Sequence, residues 1–156
     1  MLSYLIQLRD VMTEDLEIFF ENLQDQETTR SEDFPAREKD DFIANWNRIL
    51  ANPAIIKKTV IYDGKVKGSI MCYEKSGKHV VSYCIGNDYW GERIAAGALI
   101  TLLEQVNHRP LYAYVNYHNI TSVHVLEKCG FTVRNRSDTE FMLELRGRET
   151  RFQSLH

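Results

Sequence analysis

The chain has 156 residues, of which 44% are hydrophobic and 26% charged, a composition typical of one globular domain with its own core. The formal net charge of -3 argues against non-specific binding to nucleic acid, which requires a basic surface. No apolar run has membrane-spanning length, and the early charge in the first ten residues argues against a signal peptide. Three cysteines without a CxxC pair predict reduced thiols in a cytoplasmic protein. The histidines lack metal-ligand spacing, so no metal site is expected.

The first third of the chain predicts one strand and two helices. Residues 4–8 alternate between apolar and polar side chains, which is typical of a strand. Thr13 can cap the following helix, and Pro35 suits the first position of a second one. Each helix has an apolar stripe at helical spacing. The stripes are Leu16, Phe19, Phe20 and Leu23 in the first helix and Phe42, Trp46, Ile49 and Leu50 in the second.

The middle of the chain predicts three antiparallel strands joined by tight turns. Asp63-Gly64 is a strong signal for a two-residue hairpin turn, and Ser76-Gly77 turns the chain into the third strand. Gly68 lies inside the second strand, where a glycine indicates a bulge or the close approach of a neighbouring backbone. The residues expected on one face of that strand are Val66, Gly68, Ile70 and Cys72.

Residues 80–103 combine a strand, a tight loop and a helix. The β-branched and aromatic residues at 80–85 predict a mostly buried strand. A helix with small residues in its first turns follows, and its N–H groups, together with Gly91, can seat a phosphate. An ordinary connection with small residues for close packing explains the same sequence equally well. The apolar face of this helix is Ala95, Leu99, Leu102 and Val106.

The last third of the chain predicts a strand, a helix and a terminal hairpin. The strand at 111–115 follows a helical crossover and should therefore lie parallel to the strand at 80–85. Asn119 is the expected N-cap of the next helix, and Gly130 fits the position after its end. The order is βααβββαβαββ, an α/β (α+β) fold in which one mixed sheet has helices on both faces. Residues 1–146 are expected to form a single domain, followed by a polar tail at 147–156.

Two segments resemble motifs of the GNAT acetyltransferase superfamily. Residues 88–95, DYWGERIA, are similar to its acetyl-CoA pyrophosphate loop, (R/Q)xxGx(G/A). Residues 119–131, NITSVHVLEKCGF, resemble the family form Nxx(A/S)xxxxEKxGF. The likeness extends over residues 6–145 and is closest to the branch that includes the ribosomal-protein N-terminal acetyltransferases. It implies a GNAT-like mixed sheet with a splayed central pair of parallel strands.

The resemblance also implies a cosubstrate and the residues that bind it. Acetyl-CoA would donate the acetyl group, leaving CoA, and an amine would accept it. The backbone at Tyr83, Cys84 and Ile85 would hold the pantetheine arm and polarise the thioester carbonyl. Asn119 and Ser122 would contact the pantetheine or the phosphate side. The residues that would seat the pyrophosphate are Trp90, Gly91, Glu92, Arg93, Ile94, Ala95 and Ala96.

Four positions depart from the family pattern, and one of them is Trp90, where glutamine or arginine is more usual. Arg93 stands where a second glycine is usual, which could restrict the backbone or add a positive charge near the phosphates. Val80 takes the place of the glutamate that many members use as a general base. Leu126 takes the place of the tyrosine that many members use as a general acid.

The acceptor amine must lose a proton before it can attack, so the site needs a proton-handling group or a chain of water molecules. Tyr83 and Asn116 are the candidate catalytic residues. His79 and His118 are further candidates, but a lone histidine at a strand edge is more often a surface residue.

The predicted function is therefore direct transfer of acetyl from acetyl-CoA to a primary amine on a small molecule or peptide. Nucleic acid and membranes are not expected partners. A homodimer could form through an exposed edge near residues 141–145, but that edge could as easily be covered. The alternatives are a catalytically inactive CoA-binding module and an interaction domain on the same fold. An acidic rim could attract a cationic amine, although a solvated helix face is the favoured explanation of these acids. They are Glu27, Glu32, Asp33, Glu38, Asp40 and Asp41.

Overall fold

The computed structural model describes residues 6–26, 38–86 and 91–147, and within them the elements follow the predicted order. The helices are α1 (Asp15–Gln26), α2 (Glu38–Ala51), α3 (Gly91–Gln105) and α4 (Ile120–Lys128). The strands are β1 (Ile6–Asp10), β2 (Ile56–Tyr62), β3 (Lys65–Lys75), β4 (Lys78–Ile85), β5 (Leu111–Asn116), β6 (Thr132–Arg136) and β7 (Glu140–Leu145). Predictions that lie outside the described residues concern Pro35, Trp90, Glu27, Glu32, Asp33 and most of the tail.

One seven-stranded sheet has the strand order β1-β2-β3-β4-β5-β7-β6. Every neighbouring pair is antiparallel except β4 and β5, which are parallel as predicted. The parallel ladder has only two paired positions, His79 with Leu111 and Val80 with Tyr112. β4 continues to Ile85 in register with β3, so the two central strands diverge beyond Val80. The predicted splayed pair is confirmed.

The two hairpin turns that join β2, β3 and β4 have the backbone conformation that their residues favour. Asp63 and Gly64 have φ angles of 53° and 78°, and Ser76 and Gly77 have 53° and 80°. Two successive positive φ angles match the twist of the flanking strands, which is why such sequences form tight hairpins. These turns fix the register of β2, β3 and β4 against one another.

Gly68 lies beside a bulge in β3. The register steps from Val60 opposite Gly68 to Ile61 opposite Val66, which leaves Lys67 as the extra residue. A Cβ at Gly68 would lie 2.1 Å from the carbonyl oxygen of Cys84, so only glycine allows β4 to approach this closely. The sequence prediction of a bulge or close approach is confirmed in both parts.

Because of this bulge, the prediction that Val66 shares a face of β3 with Ile70 and Cys72 is wrong. Val66 packs against the cluster formed by α1 and α2, whereas Ile70 and Cys72 pack against α3 and α4 on the opposite face. One extra residue reverses the alternation of a strand, so residues before and after it point to opposite sides.

Two apolar cores lie on opposite faces of the sheet. The larger core packs the sheet against α3 and α4, and Leu99, Leu102 and Leu111 are fully buried in it. The smaller core packs α1 and α2, with the rings of Phe19 and Trp46 5.0 Å apart. Helices therefore cover both faces, as predicted.

The smaller core does not extend across the whole sheet, because none of its described members lies on β5, β6 or β7. The side chains of β5 and β7 that point to the same side of the sheet as α1 and α2 form a surface that we call the open face. Its members are Tyr112, Tyr114 and Asn116 on β5, and Glu140, Met142 and Glu144 on β7.

α4 has the ends that the sequence predicts. Asn119 caps its N-terminus, where the side-chain oxygen accepts a hydrogen bond from the Ser122 backbone N–H at 3.2 Å. Gly130 follows the C-terminus with φ +100°. The backbone N–H groups of Gly130 and Phe131 donate to the carbonyls of Glu127 and Leu126, which completes a Schellman motif.

A buried carboxylate ties α1 to the sheet. Asp15 is 3% exposed and accepts hydrogen bonds from Arg9 on β1, Thr59 on β2 and the backbone N–H of Met12, all between 2.7 and 2.9 Å. Burial alone would raise the pKa of this carboxyl. The bonds from Arg9, Met12 and Thr59 outweigh it and lower the pKa to about 2.

Of the two alternatives for residues 141–145, an exposed edge is wrong and a covered strand is confirmed, because β7 lies between β5 and β6. The edge strand at this end is β6, which has a bulge between Val133 and Asn135 and carries Arg134 and Arg136. Charge and bulges discourage pairing with another chain. None of the described helices is long and apolar enough to cross a membrane.

Candidate active site

A cavity of about 160 Å³ lies where β4 and β5 diverge. It exists because the ladder between these strands ends at Val80, so β4 and β5 are not paired with each other beyond this point. The lining residues are Tyr73, Val80, Val81, Ser82, Tyr83, Ala113, Tyr114, Val115, Asn116, Asn119, Ser122 and Leu126. Four of the predicted site residues are among them, namely Tyr83, Asn116, Asn119 and Ser122.

The strand register shows that this cavity crosses the sheet. Tyr83 pairs with Ile70, whose side chain belongs to the larger core beneath α3 and α4. Ser82 pairs with Met71, which packs in the smaller core on the opposite side. Successive residues of a strand point to opposite faces, so the lining includes side chains from both sides. We call the side of the cavity beneath α4 one mouth and the side formed by residues of the open face the other.

Tyr83 fills part of the mouth beneath α4. Its hydroxyl donates a long hydrogen bond, 3.5 Å, to the backbone carbonyl of Ser122. Burial raises the pKa of this phenol to about 12, and an interaction with the Ser122 side chain opposes the shift only in part. Tyr83 is therefore protonated at neutral pH, where it can donate a proton or a hydrogen bond but cannot act as a general base.

Asn116 lies at the other mouth, at the end of β5. Its side-chain oxygen accepts a hydrogen bond from the backbone N–H of His118 at 2.9 Å. The side-chain NH₂ is then the group that Asn116 can offer to a ligand in the cavity. The same bond holds the turn that leads to Asn119 and α4.

The start of α3 presents backbone more than side chains. Ile94 and Ala95 are buried in the larger core, while Glu92 and Arg93 are exposed and Ala96 is half-buried. A Cβ at Gly91 would lie 3.0 Å from the carbonyl oxygen of Gly86, so glycine allows the helix to begin close to the end of β4. A phosphate at this end would meet N–H groups of the helix backbone.

Arg93 causes no backbone strain at its position. The residue lies within α3, and the non-glycine residues with positive φ in the described parts of the chain are Asp63 and Ser76. The glycine that is usual here in the family is therefore not required by this backbone. Trp90 lies outside the described residues.

Cys84 and Ile85 continue β4 from the cavity toward α3. Neither side chain lines the cavity. Ile85 is buried in the larger core, and the Cys84 carbonyl lies against Gly68. Backbone contact of these two residues with the pantetheine arm stays a prediction.

Two of the positions that depart from the family pattern, Val80 and Leu126, are apolar and belong to the cavity wall. Val80 is 2% exposed and Leu126 is 1% exposed. His79 is not a lining residue, and its ring stacks on His108 with centroids 3.9 Å apart. The described part of the chain contains no group of three or more His, Cys, Asp or Glu residues that could hold a metal ion.

Sequence reasoning missed two tyrosines of the cavity, Tyr73 and Tyr114. Burial raises the pKa of Tyr73, and smaller increases come from Tyr114, Cys72 and Glu140. The Ser76-Gly77 turn places Tyr73 opposite Val80, so hairpin register could have located this residue. Tyr114 could have been located by its place two residues beyond the last parallel pair.

Comparison with known families shows to which family the chain belongs. The family described as acetyltransferase (GNAT) domain matches residues 6–132, so the chain belongs to the GNAT acetyltransferase family. This match covers both the central strands and the segment at 119–131. No curated protein matches the chain.

Solved structures with similar folds share little sequence with this chain. A chimera of the spermidine N-acetyltransferase SpeG from Vibrio cholerae and hSSAT has a TM-score of 0.73 at 17% identity, covering 96% of this chain and 98% of that one. A ribosomal-protein-serine acetyltransferase-like protein from Vibrio cholerae has a TM-score of 0.69 at 16% identity, covering 90% and 93%. The N-acetyltransferase PseH from Campylobacter jejuni, in complex with acetyl coenzyme A, has 0.64 at 17% identity, covering 91% and 99%. At these identities the comparisons establish the GNAT fold.

Proposed function

We propose that the protein is an N-acetyltransferase that transfers acetyl from acetyl-CoA to a primary amine in one direct step. The observation that carries the proposal is the cavity between β4 and β5, which crosses the sheet. A thioester that enters beneath α4 can meet an amine that enters from the open face. Neither reactant has to be transferred to a side chain first. The neighbour PseH, which was solved with acetyl coenzyme A, supports this choice of donor.

On the donor side we propose recognition by backbone groups. The arm would lie along Tyr83, Cys84 and Ile85, and the pyrophosphate would lie at the start of α3. The close approaches at Gly68 and Gly91 support this, because they bring β4 and α3 into a shape that side chains would obstruct. Asn119 and Ser122, at the start of α4, complete the donor side. The remaining pyrophosphate residues of the proposal are Trp90, Glu92, Arg93, Ile94, Ala95 and Ala96.

In the chemical step, the amine lone pair attacks the thioester carbonyl carbon, the carbon–sulfur bond breaks and CoA leaves as a thiolate. A backbone N–H of β4 stabilises the developing oxyanion. The apolar wall at Val80 and Leu126 disfavours a charged ammonium, which lowers the pKa of a bound amine and raises its neutral fraction. Tyr83 supplies the proton to the thiolate and regains one, by way of water, from the attacking nitrogen, which becomes the neutral amide, and Asn116 orients the amine.

A second candidate function is a CoA-binding module without catalysis. The observation that favours it is the same apolar pair, Val80 and Leu126, because neither can transfer a proton. Such a protein would bind CoA and acetyl-CoA equally well and would release no thiol. An interaction domain that binds neither is the third candidate.

Two measurements on the purified protein separate the three candidates. Thermal unfolding is followed with acetyl-CoA, CoA and ATP, because a ligand at about a hundredfold its Kd adds roughly 2.7 kcal/mol to the free energy of unfolding. Thiol release is followed with acetyl-CoA and a broad panel of primary amines. We expect stabilisation by both CoA compounds but not by ATP, and steady thiol release with at least one amine. Stabilisation without release would favour the binding module, and neither effect would favour the interaction domain.

We also propose a cytoplasmic location. Cys72, Cys84 and Cys129 are all free thiols. Burial raises the pKa of Cys72 and of Cys129, which makes these thiols poor nucleophiles. Three cysteines that form no disulfide fit a reducing compartment.

A further inference from the structure

The open face has its own group of side chains at the mouth of the cavity. Tyr114 lines the cavity, and 40% of its surface is exposed. Glu140 pairs with Asn116, two residues along from Tyr114, so Glu140 and Tyr114 are diagonal neighbours about 7–8 Å apart. Tyr73 reaches the same mouth from β3, and Glu140 and Tyr114 both influence its phenol. Two aromatic rings and one carboxylate thus converge from three strands.

The two carboxylates of the open face have different partners. Glu144 accepts hydrogen bonds from Arg134 at 3.1 Å and from Arg146 and Tyr112 at 3.2 Å. Its charge is therefore balanced within the protein. Glu140, in contrast, forms no ion pair with any residue of the described ranges. Its side chain is exposed beside the cavity.

We propose that Tyr73, Tyr114 and Glu140 form the acceptor subsite and select an amine that carries a second positive charge. This rests on the proposed function, because the subsite lies at the mouth through which the acceptor would enter. The reacting amine lies in the apolar gap beside Val80 as a neutral group. The second ammonium group, a few methylene groups away, lies between the carboxylate and the tyrosine rings.

Physical chemistry favours a cation at this place over a neutral or anionic group. The face of a tyrosine ring attracts an ammonium ion, and a nearby carboxylate adds a direct charge attraction. A carboxylate with no ion-pair partner among the described residues also repels anionic acceptors, which contributes to selectivity. The contribution of Glu140 is modest, because solvent screens an exposed charge.

The test compares two acceptors of equal chain length that differ by one charge, diaminobutane and butylamine. We expect kcat/KM to be at least about tenfold higher for diaminobutane in the wild-type protein. Glu140→Gln should lower the preference for diaminobutane over butylamine about fivefold, and high salt should reduce this preference as well. Glu144→Gln, which removes the same charge from the same strand face, should preserve the wild-type preference. Equal kcat/KM for the two amines in the wild-type protein would overturn the inference while leaving the proposed function intact.

A binding measurement keeps the inference testable if no amine is acetylated. Diaminobutane should raise the unfolding temperature of the CoA-bound protein, and this increase should disappear in Glu140→Gln but not in Glu144→Gln. Tyr114→Phe keeps the ring and should keep the increase, whereas Tyr114→Ala should diminish it. The absence of any increase with diaminobutane in the wild-type protein would overturn the inference. The absence of thiol release with every amine would separately overturn the proposed function.

Discussion

The two mouths of the cavity are built from different parts of the chain. The mouth beneath α4 depends on backbone packing, with Gly68 against Cys84, Gly91 against Gly86 and the Asn119 cap of α4. The mouth on the open face depends on exposed side chains, such as Tyr114 and Glu140. A backbone surface requires close approach but tolerates most changes in side-chain identity. A side-chain surface changes with every substitution. The donor can therefore be inferred from family membership, whereas the acceptor has to be argued from individual residues.

The largest effect should come from the closest backbone approach. In Gly68→Ala the new Cβ would lie 2.1 Å from the Cys84 carbonyl oxygen, which belongs to the backbone and cannot rotate away. β4 must then shift from β3, and we expect a loss of about 3 kcal/mol in the free energy of unfolding together with weaker CoA binding. Urea unfolding and CoA titration would measure both.

The matched control for this variant is Gly97→Ala in α3. Its Cβ would meet the tip of the Ile6 side chain at 2.2 Å, and a flexible side chain can rotate. Alanine also favours a helix over glycine by about 1 kcal/mol, which offsets part of the clash. We expect a change much smaller than that of Gly68→Ala and unaltered CoA binding. Equal losses in the two variants would show that the rigid contact with Cys84 is not what makes Gly68 necessary.

The buried Asp15 network should contribute the next largest effect, and it depends on pH. The pKa of Asp15 is lowered to about 2 in the folded protein, against an ordinary value of 3.8. The ionised form therefore stabilises the fold by about 2 kcal/mol above pH 4, and this contribution is lost as the pH falls from about 4 to 2. Asp15→Asn should lose it at pH 7 and should show a flatter decline in acid.

Asp10 is the control for this pH dependence. Its carboxylate is exposed and pairs with Lys58 at 2.9 Å. Solvent already screens such a pair, so Asp10→Asn should leave the urea midpoint unchanged. A decline in acid that persists in Asp15→Asn would assign the acid sensitivity to other carboxyls.

Loss of the Tyr83 hydroxyl, at the mouth beneath α4, should have an effect of intermediate size on the rate. Tyr83→Phe should lower kcat about tenfold and leave CoA binding unchanged, because only the hydroxyl is removed. Since burial raises the pKa of Tyr83 to about 12, the wild-type rate should show no decline from this group up to about pH 11. Tyr112→Phe is the control, because its hydroxyl bonds to Glu144 outside the cavity. An unchanged kcat in Tyr83→Phe would remove Tyr83 from the chemical step.

Features that depend on neighbouring residues could be predicted from the sequence. The hairpin at Asp63-Gly64, the Asn119 cap and the close approach at Gly68 each follow from one or two residue types. The face of Val66 could not be predicted, because a bulge that begins at Lys67 reverses the alternation.

Features that join distant segments were harder to predict. The place of β7 between β5 and β6 depends on a non-local strand order. The meeting of Tyr73, Tyr114 and Glu140 requires three registers to be known together. For that reason the sequence identified residues of the mouth beneath α4 but none of the three that form the proposed acceptor subsite.

The smallest expected effect is that of substitutions at Asn119. They test whether this residue only caps α4 or also contributes to CoA binding. Asn119→Ala removes the cap of α4 and should cost about 1 kcal/mol in the free energy of unfolding. Asn119→Asp retains an oxygen that can accept the bond from Ser122, so its stability should match the wild-type protein. The negative charge of the new carboxylate at the mouth beneath α4 should nevertheless weaken binding of the anionic CoA a few-fold. If Asn119→Asp binds CoA as tightly as the wild-type protein does, Asn119 is a helix cap and has no part in donor recognition.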